Sequence, residues 1–422
     1  MSVAGFVVFI VLLVVTLGAI NVYVLRWARK VFRLPQRGQL ILQGVLWLSI
    51  AGMVLGRVAG RFWPGPFTTG VIAVASTIQL AVIISVVFLL LVDAALFLLS
   101  VPARVRKLRA LLPTVAAAVP PTAAPPEAHA VPPAELPRRA FLVEVAASSA
   151  FLIGGSSSVY GALKGRHDYV LEEVPIEIPG LGRGFDGFSI VQLSDVHIGA
   201  FVGEPELRVA EELIRKAKPD LLVLTGDLLD NDGRLAEQLG RFVRRLTPLA
   251  RQGVVAIPGN HDYFAGVDEV GASIRAAGGR MLVNDALVIG QAGAGFALLG
   301  VDDVWARREG GGPDLSRAAL ALPRLAGRVA PAQDLPRILL CHNPSYFAEA
   351  AGNVALQLSG HTHGGQVNLG VRPADYLLPG GWVAGRYDQS GSVLYVNRGF
   401  GTVGPPARLG APPEVTRVVL SA

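Results

Sequence analysis

A chain of 422 residues that is 51% hydrophobic, with a mean hydropathy of +0.47, is too apolar for a purely soluble protein; it has room for a membrane portion plus one sizeable domain. Its formal charge of +6 is uneven, because residues 1–170 hold 15 Lys and Arg against 5 Asp and Glu, whereas residues 171–422 hold 23 against 27. The acidic balance of the second part argues against a nucleic-acid-tracking surface there, and a single cysteine, Cys341, excludes an intrachain disulfide.

Residues 3–25 carry no charge and are long enough to cross a bilayer as a helix, with Tyr23 and Trp27 at the interface. Arg26, Arg29, Lys30, Arg33 and Arg37 follow. A second apolar run, 40–55, precedes Arg57, Arg61 and Trp63; a third, 71–99, precedes Arg104, Arg106, Lys107 and Arg109. The positive-inside rule puts the basic loops 26–37 and 104–139 in the cytoplasm and the 57–61 segment outside, with three spans and an outside N-terminus. Asp93, near the cytoplasmic end of the third span, is expected to pair with a nearby Arg or water.

Residues 1–110 thus read as a membrane region of about three helices, and 111–139, rich in Ala and Pro, as a linker. Residues 140–168 follow Arg138-Arg139-Ala140-Phe141-Leu142 and read as a twin-arginine-like export signal or a fourth membrane span. Either reading carries residues 169–422 to the extracytoplasmic face, whereas a short element lying at the interface would leave them inside.

In that last region strand-like runs at 188–193, 221–224, 254–257, 296–299, 338–340, 354–358 and 393–396 alternate with helical patterns at 204–217 and 235–249. The pair 281–283 and 287–289, and the run 415–420, look antiparallel, so one α/β domain with mixed sheets is expected. Five runs end in motifs of one kind: Ser194-Asp195-Val196-His197, Thr225-Gly226-Asp227, Pro258-Gly259-Asn260-His261-Asp262, Cys341-His342-Asn343-Pro344 and Gly360-His361-Thr362-His363. Five of the seven histidines fall inside them. Residues i and i+2 of a strand share a face, so Asp195 with His197 and His361 with His363 would point the same way. Glycine before Asp227, Asn260 and His361 lets the backbone turn where a Cβ would crowd the site. Imidazole, carboxylate and one amide without thiolate suit Mn²⁺, Fe²⁺, Zn²⁺ or Co²⁺. So many groups exceed one ion's needs and fit two, at the separation of about 3.5–4 Å used to hydrolyse phosphate esters. Asp230 and Asp232 read as loop acids or a helix N-cap.

These motifs resemble the calcineurin-like metallophosphoesterases from about residue 186 onward. Gly364-Gly365-Gln366 and Tyr395-Val396-Asn397-Arg398-Gly399 look like the bacterial membrane-associated, twin-arginine-exported branch. The resemblance implies an α/β fold, a four-layer α/β/β/α sandwich with two mixed β-sheets, preceded here by the helical transmembrane region. It implies two divalent metal ions: Asp195, His197 and His363 would hold one, Asn260, His342 and His361 the other, and Asp227 would bridge them. His261 would be the non-ligand acid, oriented by Asp262. Two divalent ions against Asp195, Asp227 and a bridging hydroxide leave a centre near about +1, ready for a phosphate oxygen. The expected protein is a multi-pass enzyme of the bacterial inner membrane that hydrolyses a phosphodiester, lipid-linked or of the cell envelope, by attack of that hydroxide. The competing readings are a phosphomonoesterase and a non-catalytic metal-binding receptor or scaffold that keeps the fold. A transporter is disfavoured, because the spans hold only Asp93 and Glu144 as acids.

Overall fold

Four stretches of apolar sequence become four long helices: α1 (Val3–Phe32), α2 (Gln36–Phe62), α3 (Pro66–Leu111) and α4 (Arg138–Leu163). The computed structural model describes residues 3–111, 138–291, 294–325 and 335–422, so the expected linker lies, from 112 to 137, outside the described residues. Each helix contains a segment long and apolar enough to cross a membrane by length and composition. They run past the apolar limits seen in the sequence, since a helix in lipid must satisfy its own backbone groups.

The chain divides into two compact units. The first, residues 1–53 and 74–159, packs Val24, Leu25, Trp27, Leu46, Val82, Leu89, Ala147 and Ala150 together. Gly154 lets α4 approach α3, because a Cβ there would lie 3.0 Å from the Ser85 amide nitrogen. The partner expected for Asp93 is corrected. It accepts hydrogen bonds from Tyr23 Oη at 2.6 Å and Trp27 Nε1 at 3.4 Å, because the interfacial aromatics of α1 present their polar ends to α3 at that depth. Arg33 pairs with Glu144 instead, at 3.0 Å.

The second unit, residues 54–73 and 160–422, contains two six-stranded sheets. The strands are β1 (Val170–Glu177), β2 (Ser189–Leu193), β3 (Leu221–Thr225), β4 (Val254–Ile257), β5 (Arg280–Met281), β6 (Asp285–Gln291), β7 (Ala294–Gly300), β8 (Arg337–Leu340), β9 (Leu356–Ser359), β10 (Gly385–Gln389), β11 (Ser392–Val396) and β12 (Glu414–Ser421). One sheet runs β1-β12-β2-β3-β4-β5 and the other β10-β11-β9-β8-β7-β6. Both are mixed: β12 is antiparallel to β2 but parallel to β1, and β6 and β10 are antiparallel to their neighbours in an otherwise parallel sheet. The hairpin expected of 281–283 with 287–289 does not form. β5 pairs parallel with β4, the chain turns at Asn284 with φ 53°, and β6 joins the other sheet against β7.

Alternation along the strands builds the layers. Ile190, Leu221, Val223, Val255 and Ile257 meet Phe296, Leu298, Ile338, Leu340, Leu356 and Leu358 between the sheets. Their neighbours Val191, Leu193, Leu222, Leu224, Val254 and Ala256 face outward, under α5 (Glu204–Ala217), α6 (Ala236–Leu246) and α8 (Val267–Ala276). Ala297, Leu299 and Leu339 lie under α9 (Leu315–Leu325) on the other side, which completes the four-layer sandwich. The short α7 (Asn260–Ala265) precedes α8 and belongs to the site. Gln192, buried on β2, ties the sheets by donating to Ser359 O on β9 at 2.9 Å. Replacing Phe296, which packs edge-on against Phe185 and Phe188 in the sandwich core, by Ala should lower stability by about 3–5 kcal/mol. Leu320→Ala, at an exposed position of α9, should change it by less than about 0.5 kcal/mol in the same denaturant titration.

Candidate metal centre

The five motifs lie where β2, β3, β4, β8 and β9 end, so two parallel sets of strands deliver them to one edge of the sandwich. Strand alternation does not aim the pairs, as the sequence suggested. Asp195, His197, Asp227, His361 and His363 lie beyond their strands with φ of 51°, 50°, 52°, 71° and 52°. They make up half of the ten non-glycine residues with positive φ among the described residues. Each such conformation costs about 1–3 kcal/mol and persists only where its surroundings hold it. Here Asp195 N donates to Gly226 O and His197 N to Asp227 O, both at 3.0 Å. Gly226, φ +86°, is needed for closeness as well as conformation, because a Cβ there would stand 2.6 Å from Gly259 N and 2.8 Å from His342 Nδ1.

Six of the seven expected ligands come together in two sets. His363 Nε2 is 3.4 Å from Asp195 Oδ1 and 3.1 Å from His197 Nε2, which is 3.6 Å from Asp227 Oδ2. That same Asp227 Oδ2 is 3.3 Å from His342 Nε2, which is 3.2 Å from His361 Nδ1. With bonds of about 2.1 Å, donor atoms around one ion stand about 3.0–3.4 Å apart, so each set has the dimensions of a metal cage. The Asn260 Oδ1 atom is buried without a hydrogen-bond partner, as a donor awaiting a cation would be. These residues fit two ions.

Neighbouring groups fix which atoms face the cages. Asp227 Oδ1 accepts from His261 N at 2.8 Å, leaving Oδ2 for both sets. His342 Nδ1 donates to Thr225 O at 2.8 Å, which turns the Nε2 lone pair inward. Asp195 accepts from His361 N and Ser194 Oγ. Burial pushes His363 well below the ordinary imidazole pKa, and the nearby His197 and Arg408 add to it. Burial would raise Asp227, yet His342, His197 and His261 hold it well below the usual carboxylate range.

The pairing of His261 with Asp262 is corrected. Asp262, at the third position of α7, turns back to accept from Gly259 N at 2.9 Å, and from Leu228 N at 3.0 Å and Leu229 N at 3.2 Å. It therefore clamps the loops after β3 and β4. His261 points the other way, its Nδ1 at 2.6 Å from Asp230 O and 3.5 Å from Asp230 Oδ1. Burial disfavours charge on His261, but Asp230 and Asp227 lift its pKa to about 9.

Asp230, read from sequence as a loop acid, thus belongs to the site; its Oδ1 also lies 3.8 Å from His197 Nδ1. Asp232 is the N-cap expected, accepting from Arg234 N at 3.1 Å. Two other groups were missed. Arg408 is fully buried, donates to carbonyls of Arg398, Gly399, Gly401 and Ala411, and holds Nη2 3.1 Å from His363 Nδ1. Asp303, buried beside His342 and His361, accepts from Trp305 N at 2.7 Å. Nothing but proximity of Asp230 to Asp227 in the chain marked any of the three. Asn343 and Asn397 serve turns, accepting from Ser345 N and Gly399 N.

The profile of the calcineurin-like phosphoesterases matches residues 188–365. The metallophosphoesterase YkuE of Bacillus subtilis is 33% identical over 282 residues, which span 64% of this chain and 91% of that protein. A transmembrane protein with metallophosphoesterase domain from Bos taurus is 32% identical over 280 residues, 63% of this chain and 60% of its own length. Among solved structures, a dimetal phosphatase from Danio rerio aligns with 51% of this chain and 88% of its own at 13% identity, with a TM-score of 0.34.

Asp227→Asn should lower the bound divalent cation, measured by elemental analysis of the purified protein, from about two per chain to below one. It should also remove the rise in melting temperature on adding Mn²⁺. Asp232→Asn, at the cap, should leave both readings as they are.

Proposed function

We propose that this chain, which belongs to the calcineurin-like phosphoesterase family, is a membrane-anchored phosphodiesterase with a dinuclear metal centre, acting on a lipid or cell-envelope phosphodiester. That it is a metal-dependent phosphoric ester hydrolase follows from the family; the diester, the lipid and the residue roles are this reading's own. The observation that carries it is Asp227 Oδ2 standing within 3.6 Å of His197 and 3.3 Å of His342, one oxygen common to two ligand sets.

In this reading Asp195, His197 and His363 hold one cation, Asn260, His342 and His361 the other, and Asp227 is shared. Divalent cations held there would supply a water-derived nucleophile near neutral pH and would stabilise charge on the phosphoryl oxygens. His261 gives its proton to the leaving oxygen. Its Nδ1 is engaged by the Asp230 carbonyl, so Nε2 carries the transferable proton, and the carboxylates of Asp230 and Asp227 favour the charged ring. Asp262 and Arg408 keep the loops and His363 in place.

Residues 169–422 are taken as the catalytic domain and 1–110 as the membrane region, with α4 as a fourth span or a twin-arginine-type signal. The turn from α2 to α3 shares a compact unit with residues 160–422. That turn is the less basic one, which favours an extracytoplasmic catalytic domain in the inner membrane of a bacterium. A lipid substrate is favoured by the membrane helices and by an apolar surface in the chain leaving the His361–His363 turn, where Val371, Tyr376 and Leu377 are exposed.

The full chain, supplied with Mn²⁺, should hydrolyse bis-p-nitrophenyl phosphate with a higher kcat/KM than p-nitrophenyl phosphate. His261→Ala should lower kcat by about 10²–10⁴-fold while metal content stays at the wild-type level. A preference for the monoester would make the protein a phosphomonoesterase, and full metal content without turnover on either compound would make it a scaffold.

A further inference from the structure

The second unit joins the candidate metal centre to the end of α2, and it does so on two sides. On one side, Arg57 Nη2 donates to Gly404 O at 2.6 Å. The loop around Gly404 is held in turn by Gln366, which accepts from Val403 N at 2.9 Å and donates to Val403 O at 2.8 Å. Gln366 N bonds His363 O at 2.9 Å, so Arg57 is one short loop away from a ligand histidine. On the other side, Arg234 Nη2 donates to Arg61 O at 2.6 Å. Arg234 lies in the loop of Asp230, whose carbonyl is 2.6 Å from His261 Nδ1. Two loops that flank the site therefore both rest on the end of α2, beside the turn into α3.

That turn has the character of a membrane surface. Phe62, Trp63 and Phe67 are 67%, 72% and 83% exposed, as aromatic residues at the headgroup level are. Arg57 lies on the last turns of α2, exposed, with Asp230 within electrostatic reach. The carbonyl of Gly404 uses one of its five N–H donors, and a guanidinium with donors to spare is suited to a phosphate oxygen.

Resting on the phosphodiesterase reading, we propose that Arg57 is a specificity-determining residue of the site: at its mouth the guanidinium engages the phosphodiester headgroup of a substrate whose tail remains in the bilayer. The substrate then enters from the membrane surface instead of from solution. An aryl diester free in water makes little use of Arg57, whereas an amphiphile reaches the metal ligands only past it.

The test uses the full chain with Mn²⁺ and dodecyl p-nitrophenyl phosphate in phosphatidylcholine vesicles. Arg57→Gln keeps a donor for Gly404 O but removes the charge. It should raise KM about tenfold at unchanged kcat and flatten the increase of KM with salt. Arg57→Lys should stay within about threefold of the wild type, and Arg241→Gln, on the exposed face of α6, should match it. A wild-type KM for Arg57→Gln overturns the proposal and leaves the phosphodiesterase reading standing. So does a fall in kcat together with melting temperature, which would make Arg57 only a tether for the 403–405 loop. A wild-type protein that, with its metal bound, cleaves neither this amphiphile nor bis-p-nitrophenyl phosphate removes the phosphodiesterase reading and the proposal with it.

Discussion

The site depends on a single carboxylate having its two oxygens sent to different tasks. Asp227 spends Oδ1 on the amide of His261 and leaves Oδ2 between two groups of histidines. Without the backbone bond the carboxylate could rotate, and the two donor sets would lose their common member. With it, the position of the shared oxygen is set by the start of α7, and so by the spacing of β3 and β4. The sheet is a ruler for the metal centre: Leu224 opposite Ala256 and Thr225 opposite Ile257 fix where Asp227 and Asn260 can emerge.

Such an arrangement is expensive in isolation. Five candidate ligand residues in left-handed conformations, several buried imidazoles close enough to repel when protonated, and a buried carboxylate all oppose folding. What offsets them is a frame of groups with no place in the chemistry. Asp262 gathers three amides from two loops, Arg408 collects five carbonyls, that of His363 among them, and Gln192 stitches one sheet to the other just below the site. Bound cations would relieve the remaining repulsion, which is the physical reason metal content and stability should move together.

Much of this was legible in the sequence. The strand runs and the helix 204–217 were readable because buried strands announce themselves by apolar runs and amphipathic helices by their period. The candidate residues were readable because metal chemistry admits few residue types and five motifs repeated them at strand ends; the structure brings six of them into two clusters. The errors have equally physical causes. A one-dimensional pattern cannot say to which sheet residues 285–291 belong, since a turn at Asn284 decides it. Two adjacent polar residues, His261 and Asp262, invite pairing, but on a helix neighbours point about 100° apart, so each found a different partner. Arg408 and Asp303 sit among glycines and prolines or after a strand, with no spacing to link them to histidines far away in the chain.

The place of β12 carries a further consequence. Residues 170–177 and 189–193 are neighbours in sequence yet do not touch as strands; residues 414–421 lie between them. The first sheet therefore closes only after more than two hundred residues have been made and have returned to it. Contacts of such long range are slow to form, so β1 joins the rest of its sheet only when the last strand of the chain arrives. Any machinery that moves the chain across a bilayer in the unfolded state has that interval in which to act.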